Sequence, residues 1–239
     1  MSAIMGSAIN KHESSEADSR ENNDLNFSAA LDLQLPIRFP VLDLQLPPIR
    51  IRRGDTRLRY TYGIWCSRRI PGGRTNLQNI QLLGRFASIQ QFWRYYDRLT
   101  QPDNLRSHSS LHIFKDGIKP VLQDPSNIDG GQWVVCIDKR FLPLCWEPLL
   151  LAMLGEQFMV GDDICGVEVS TTTKSDKIFI SLWNRSSADT MVTTKIRDTL
   201  KKVLNLPLST VFEYKKNIDL ISDLENSLGP FFILYDTKE

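Results

Sequence analysis

The sequence is poor in the residues that build metal sites, disulfide frameworks and most catalytic centres. It contains four cysteines and three histidines in 239 residues. The cysteines have no CxxC spacing and no pair of histidines near them, so we predict free thiols in a reducing compartment. No histidine lies in a recognisable serine or cysteine motif, and His108 and His112 are interpreted as surface or strand residues. The glycines form no phosphate-binding loop. We therefore expect no enzyme, no metal site and no cofactor.

Long apolar runs and an excess of one charge are absent as well. No run approaches the roughly 20 apolar residues that a membrane-spanning helix needs, and the formal net charge is +1. The first residues are polar and acidic, unlike a secretory signal peptide or an arginine-rich transit peptide. These absences predict a cytoplasmic protein that does not enter a membrane.

The residues that are present divide the chain into two parts. Residues 1–54 begin acidic and rich in serine and asparagine, which predicts a disordered tail, and they repeat LDLQLP at Leu31–Pro36 and Leu42–Pro47. The prolines exclude a continuous helix through this repeat. It is either a small tandem duplication in a tolerant tail or a docking motif for a partner. Residues 55–235 are predicted to form the folded domain, and residues 236–239 a short tail.

Arginines cluster where the two parts meet. Eight arginines and one acid, Asp55, lie between Arg50 and Arg74. Such a block can attract RNA phosphates. However, Arg57 and Arg59 alternate with apolar neighbours, as residues do along the solvated edge of a strand. Both interpretations stay open from the sequence.

Strand patterns within the domain are of two kinds, either alternating with period two or rich in β-branched and aromatic residues. They cover residues 58–64, Trp133–Ile137 and Lys177–Trp183. Together with the helices described next, they predict an α+β fold.

Three further segments show the spacing of amphipathic helices. The first begins at Ser88 and has Gln91 three residues later, a capping-box pattern. The second runs from about Trp146 to Phe158, and we expect Pro148 to be tolerated because it would lie in the first turn. The third ends at Asn205, shortly before a proline.

Several longer stretches resemble one known family, in order and without large gaps. In one-letter code they are YTYGIWCSRR (Tyr60–Arg69), FASIQQFW (Phe86–Trp93), FKDGIKPVLQDPSNIDGGQW (Phe114–Trp133), WEPLLLAMLGEQFMVGDDICG (Trp146–Gly166), TTKIRDTLKKVLNLP (Thr193–Pro207) and SLGPFFILY (Ser227–Tyr235). Over about residues 56–235 the chain is similar to the initiation factor 4E family. The subclass that it resembles most is the 4E homologous protein, a cap-binding translational repressor. The resemblance implies a curved antiparallel β-sheet with three helices on its convex face and a pocket for the mRNA 5′ cap on its concave side.

The resemblance also implies which positions would form the cap pocket. In the family, a methylated guanine stacks between two aromatic rings, and a carboxylate pairs with the edge of the base. The two aromatic positions correspond here to Asn76 and Leu122, and the carboxylate position corresponds to Gln123. A third aromatic, which lies near the methyl group of the cap, is retained as Trp183.

Basic side chains bind the phosphates of the cap in this family. The corresponding position is Thr172 or Lys174, depending on the anchor of the alignment, and Lys177 is a further candidate. A base–aromatic stack is worth about 1–3 kcal/mol, and a hydrogen bond to a charged group about 1.5–3 kcal/mol. If these terms add, the loss of two stacks and one carboxylate removes roughly 3.5–9 kcal/mol, or at least about 400-fold in affinity. We therefore expect weakened binding of the cap.

The resemblance implies a second site on the convex side, where an amphipathic helix of a 4E-binding regulator would dock. The matching residues are Ile89, Trp93, Glu147, Leu151 and Gly155. Trp93 would be the anchor, because large aromatic residues dominate such interfaces. Helical spacing alone fits equally a Trp93 that belongs to the core.

Two functions stay open at this stage. The first is a monomeric translation regulator of the cap-binding type with weakened cap affinity. The second is a protein-interaction module that no longer binds the cap and that sequesters or presents 4E-binding regulators.

Overall fold

The computed structural model describes residues 48–68, 80–99, 104–105, 107–171 and 177–228. The predicted positions Asn76, Thr172 and Lys174 lie outside these ranges, as do both LDLQLP copies and residues 229–239. The predicted bounds of the domain and of its two tails stay predictions.

The described ranges contain seven β-strands and four α-helices. The strands are β1 (Arg57–Arg68), β2 (Ile80–Ser88), β3 (Ser109–Lys115), β4 (Gly131–Asp138), β5 (Ile164–Thr171), β6 (Lys177–Asn184) and β7 (Phe212–Lys216). The helices are α1 (Ile89–Tyr96), α2 (Leu142–Leu154), α3 (Thr190–Leu204) and α4 (Asn217–Leu228), and a 3-10 turn at Lys139–Phe141 precedes α2.

The strands form one curved sheet in the order β2-β1-β3-β5-β6-β4-β7, in which all neighbours are antiparallel. The predicted α+β fold with a curved antiparallel sheet is confirmed. The three predicted strand segments lie within β1, β4 and β6. To the three predicted helices the structure adds α4, which lies beside β4 and β7.

Strand β1 shows how alternation of side chains places the core. Tyr62 and Ile64 are at most 1% exposed and belong to the main hydrophobic cluster, whereas Arg57 and Arg59 of the same strand are exposed. The arginines therefore fit the interpretation as a solvated strand, while attraction of RNA stays a prediction.

Helix α1 begins where the capping box was predicted. The hydroxyl of Ser88 accepts a hydrogen bond from the backbone N–H of Gln91 at 3.2 Å, and the amide oxygen of Gln91 accepts one from the backbone N–H of Ala87 at 2.9 Å. The first bond satisfies a donor that the first turn of a helix leaves free. The second bond joins Gln91 to Ala87, the residue before the N-cap, and is thus a variant of the capping box.

Helix α2 differs from the prediction at both ends. It begins at Leu142, with Pro143 in its first turn, and ends at Leu154, so Pro148 lies inside the helix instead of in the first turn. Pro148 has no N–H to donate to the carbonyl of residue 144, so the helix lacks one hydrogen bond at an exposed residue, Leu144. The predicted end at Phe158 was wrong because Gly155 caps the helix and Glu156 has a positive φ of 56°.

Helix α3 ends as predicted. Asn205 follows its last residue with a φ of 44°, the left-handed conformation that commonly ends a helix. At the other end, the carboxylate of Asp189 accepts hydrogen bonds from the backbone N–H groups of Met191 and Val192, both at 3.0 Å.

Helices α1, α2 and α3 pack on one face of the sheet and enclose the main core with it. We call this face the helix face. Trp146 and Leu149 of α2 and Ile196 of α3 are at most 1% exposed there. Within the described part of the chain, no helix has the length and apolar character needed to cross a membrane.

Candidate functional site

The opposite side of the sheet is covered in part by the loop of residues 116–130, and we call it the loop face. Its side chains come from alternate positions of four adjacent strands: Trp65 of β1, His112 and Phe114 of β3, Glu168 of β5, and Trp183 of β6. Trp65 lies opposite His112, and His112 lies opposite Glu168. The strand register therefore brings together residues that are far apart in the chain.

An apolar cluster occupies the part of the loop face nearest the loop. It consists of Phe114, Ile118, Cys165 and Trp183, and Trp65 and Leu122 pack against it. The rings of Phe114 and Trp183 meet edge to face, with centroids 5.6 Å apart. Trp183 is only 5% exposed, so little of its ring is free to stack on a ligand.

Gly166 makes this packing possible. It lies between Phe114 and Trp183 in the strand register, and a Cβ at this position would overlap the ring of Phe114. Any larger residue would therefore displace the phenyl ring from the cluster.

The loop itself is held by two buried polar side chains. The carboxylate of Asp124 accepts hydrogen bonds from the backbone N–H groups of Lys119 and Ser126, both at 2.9 Å. The amide of Asn127 donates to the carbonyls of Lys119 at 2.9 Å and Val121 at 2.8 Å. These bonds fix the backbone on both sides of residues 122 and 123.

The structure brings two of the predicted cap-pocket residues together. Leu122 is partly buried and packs against the cluster that contains Trp183. Gln123 is exposed, and its side chain is neutral. The place where the family offers an aromatic ring and a carboxylate therefore holds an aliphatic side chain and an amide.

Lys177 does not belong to this cluster. It lies opposite Asp138 at the start of β6, and its Nζ is 3.1 Å from the Oδ1 atom of that carboxylate. Trp183 is six residues further along the same strand, a distance of about 20 Å. The structure thus places Lys177 at the far end of the strand from Trp183, although the sequence made it a candidate for the same pocket.

A chain of polar contacts crosses the loop face next to the apolar cluster. The hydroxyl of Ser67 and Nε2 of His112 are 2.9 Å apart. On the other side of the imidazole, Nδ1 of His112 lies 3.8 Å from Oε2 of Glu168. The same carboxylate oxygen accepts a hydrogen bond from Nε1 of Trp183 at 3.3 Å.

Burial determines the charge of His112 in this series of polar contacts. It lowers the pKa of His112, against the smaller opposing effect of the neighbouring Glu168 carboxylate. His112 is therefore neutral at neutral pH, and Nδ1 of its ring has no hydrogen-bond partner. The arrangement places Ser, His and Glu in sequence, but Nδ1 and the carboxylate are too far apart for a hydrogen bond.

Sequence reasoning missed this chain of contacts. His112 was interpreted without a serine partner because Ser67 is 45 residues away. One signal was available, since Glu168 lies between two valines in β5, and glutamate is rarely found in such positions unless it has a partner.

The five predicted partner-binding residues lie on the outer side of α1 and α2. Ile89 is 40% exposed and Leu151 is 39% exposed. Glu147, Leu151 and Gly155 follow each other at intervals of four residues, so they share one side of α2.

Trp93 is partly buried and joins this surface to the core. Its ring lies edge to face with Phe92 at 5.0 Å and with Tyr96 at 5.5 Å between centroids. Burial raises the pKa of Tyr96 to about 12, and the negative charge of the neighbouring Glu147 carboxylate acts in the same direction. The Tyr96–Glu147 contact therefore links α1 to α2 beside Trp93.

Comparison with known proteins identifies relatives over most of the chain. The family model described as eukaryotic initiation factor 4E matches residues 57–228. Eukaryotic translation initiation factor 4E-4 of Caenorhabditis elegans is 40% identical over 173 residues, which cover 71% of this chain and 80% of that protein. Eukaryotic translation initiation factor NCBP of Arabidopsis thaliana is 39% identical over 167 residues, 69% of this chain and 75% of that protein.

Solved structures show the same similarity. The C. elegans eIF4E-3 in complex with the 4E-binding protein Mextli has a TM-score of 0.65 and 28% sequence identity, and the match covers 70% of this chain and 96% of that one. The Ascaris suum eIF4E-3 in complex with m7G cap has a TM-score of 0.62 and 28% identity, with 68% and 91% covered.

Proposed function

This chain belongs to the eukaryotic initiation factor 4E family, and on that premise we propose that it is a translation regulator that binds the mRNA 5′ cap weakly at its loop face. Within the family we place it nearest the 4E homologous protein, a translational repressor, and we propose that it acts as a cytoplasmic monomer. The observation behind the weak binding is the environment of Leu122 and Gln123 beside Trp183.

An aliphatic side chain at position 122 offers no π-system to a methylated, positively charged base. A stack on an aromatic ring contributes about 1–3 kcal/mol, and Leu122 can replace only its apolar contact. Gln123 can accept a hydrogen bond from the base, but a neutral acceptor gives about half the strength of a charged one. Trp183 is retained but 5% exposed, so it cannot supply the missing stack without a rearrangement of the cluster.

Titration with a cap analogue tests this proposal. The chain and an ordinary family member are titrated side by side with 7-methylguanosine triphosphate, and the quenching of tryptophan fluorescence is recorded. We expect this chain to bind much more weakly than the reference protein. Micromolar or tighter binding would show that the substitutions at positions 122 and 123 do not weaken the site.

The helix face favours a second function, that of a module for protein interaction. Ile89 of α1 and Leu151 of α2 expose apolar side chains, and Trp93 is partly buried on α1. Such a surface suits the apolar stripe of an amphipathic helix. Because C. elegans eIF4E-3 forms a complex with a 4E-binding protein, we propose that this chain binds regulators of that class through the same five residues. If the cap is not bound at all, this interaction is the function that remains.

A further inference from the structure

Glu168 places a carboxylate among aromatic side chains on the loop face. Its side chain is 16% exposed, and one of its oxygens accepts a hydrogen bond from the indole N–H of Trp183. Among the described residues, no lysine or arginine forms an ion pair with it. A carboxylate so little exposed to water normally has a cationic partner.

The nearest titratable neighbour does not supply that positive charge. Burial lowers the pKa of His112, so its ring is neutral at neutral pH. The other side of the same ring is occupied by the hydroxyl of Ser67. Glu168 therefore gives the middle of the loop face a net negative charge.

The surroundings of this carboxylate are aromatic. Phe114 and Trp183 lie in the adjacent apolar cluster, and Trp65 packs against it. The indole of Trp65 lies over Gly63, since a Cβ on that glycine would be 2.7 Å from Nε1. Nε1 of Trp65 is buried and has no hydrogen-bond partner, so the loop face also carries an unused donor. Phe114 and Trp183 are almost fully buried, so the attraction of this face for a planar cation comes mainly from the carboxylate.

We propose that Glu168 makes the loop face selective for a purine that carries a positive charge through N7-methylation over the same purine in its neutral form. The proposal rests on the proposed binding of the cap at this face. The residue that distinguishes the charged base from the neutral base is then in β5, outside the loop of residues 116–130. In this protein, the charge of Glu168 supplies part of the attraction for a positively charged base that Leu122 and Gln123 do not supply.

The test compares two ligands that differ only in the methyl group and its charge, 7-methylguanosine monophosphate and guanosine monophosphate. The indole N–H signals of the five tryptophans are followed by NMR, which measures dissociation constants into the millimolar range. The Trp183→Phe variant assigns the signal of that residue. For the unsubstituted protein we expect the methylated nucleotide to bind more tightly.

The decisive variant is Glu168→Gln, which keeps the size of the side chain and an acceptor for Trp183 but removes the charge. We expect it to reduce the preference for the methylated nucleotide about tenfold, equivalent to about 1.4 kcal/mol, with little change for guanosine monophosphate. Glu168→Asp, which keeps the charge, should retain most of the preference. The matched control is Glu213→Gln. In the strand register Glu213 of β7 is aligned with Glu168, three strands away, a distance of about 14 Å. Its carboxylate already forms an ion pair with Lys215.

Each other outcome overturns the proposal in a distinguishable way. If Glu168→Gln keeps the full preference, or if Glu213→Gln loses it equally, Glu168 does not select the charged base. If the unsubstituted protein binds both nucleotides equally, the selectivity is absent while binding at this face stands. If it binds neither nucleotide at the limit of solubility, the proposed binding of the cap fails as well.

Discussion

The side-chain amide of Asn127 donates a hydrogen bond to the main-chain carbonyl of Val121 across 2.8 Å. Asn127 is completely buried, and the same nitrogen also donates to the carbonyl of Lys119. A side chain five residues beyond Leu122 thus determines where Leu122 meets the loop face.

We predict that Asn127→Ala destabilises the protein by about 1–3 kcal/mol, because the buried carbonyl of Val121 and the partly buried carbonyl of Lys119 lose their donor. The free energy of unfolding in urea, followed by tryptophan fluorescence, measures the change. Gln123→Ala is the matched control in the same loop, since Gln123 is exposed, and it should change stability by less than about 0.5 kcal/mol. Equal effects of the two variants would contradict the role assigned to Asn127.

The second prediction concerns the cap pocket. Leu122→Trp combined with Gln123→Glu should raise the affinity for 7-methylguanosine triphosphate, because it restores one aromatic ring and one charged acceptor. If the two terms add, the gain is roughly 2.5–6 kcal/mol, although it is reduced if the new indole has to displace the cluster around Trp183.

The two single variants provide the control for this experiment. Leu122→Trp should improve binding of methylated and unmethylated nucleotides through stacking. Gln123→Glu alone should act mainly through the edge of the base. If the double variant binds no better than the original chain, the weakness of the site does not originate at these two positions, and the first aromatic position, Asn76, becomes the main cause.

Most of the fold could be predicted from local patterns in the sequence. The alternation in β1, the cap formed by Ser88 and Gln91, and the end of α3 before Asn205 all depend on residues close in the chain, and all are present in the structure. The predicted start of α2 was wrong because the sequence contains two prolines near it. Pro148 indicated a first turn, but Pro143 already occupies that position, and α2 continues through Pro148 without the hydrogen bond that a proline cannot donate.

The contacts of the loop face could not be predicted in the same way. Ser67 and His112 are 45 residues apart, and Glu168 and Trp183 are 15 residues apart. These pairs meet only when the register of four strands is set, and a shift of one residue would turn every side chain to the other face. The pairing of Lys177 with Asp138 depends on the register in the same way.

The third prediction concerns the partner surface on α1 and α2. Trp93→Ala should weaken the binding of an amphipathic 4E-binding helix by about 2 kcal/mol or more, as expected for a central aromatic anchor. Because Trp93 is partly buried against Phe92 and Tyr96, we also expect a loss of stability that is smaller than the roughly 3–5 kcal/mol of a fully buried tryptophan.

Leu144→Ala is the matched control for Trp93→Ala. Leu144 lies on α2 and is 69% exposed, but it is not among the five predicted contact residues. Its removal should leave both stability and binding nearly unchanged. Thermal unfolding and isothermal titration with the regulator peptide on the same samples separate the two effects. A folded Trp93→Ala protein that binds the peptide with full affinity would show that the helix docks elsewhere.

The fourth prediction follows from the lowered pKa of the buried His112. In the unfolded chain this histidine takes up a proton near its ordinary pKa of about 6.5, whereas in the folded protein it stays neutral to lower pH. The unfolded state thus binds more protons below about pH 6.5. Stability attributable to this residue is therefore unchanged above that pH and is lost as the pH falls, by at most about 1.4 kcal/mol per pH unit.

We expect His112→Gln to flatten the decline in stability between about pH 6.5 and pH 5, whatever its effect on absolute stability at pH 7.5. The comparison uses the free energy of unfolding in urea at half-unit steps of pH. The slope of this free energy against pH depends on the difference in bound protons between the folded and unfolded states, whereas a change in packing shifts the free energy equally at every pH. His108→Asn is the control for the loss of a histidine. His108 precedes β3 with a φ of 62°, a conformation that asparagine accepts readily, so this variant measures how the slope responds to the loss of a histidine that is not in contact with Ser67 or Glu168. If His112→Gln declines as steeply as the unsubstituted protein, other groups cause the acid sensitivity, and His112 would not be the neutral neighbour that leaves the charge of Glu168 unbalanced.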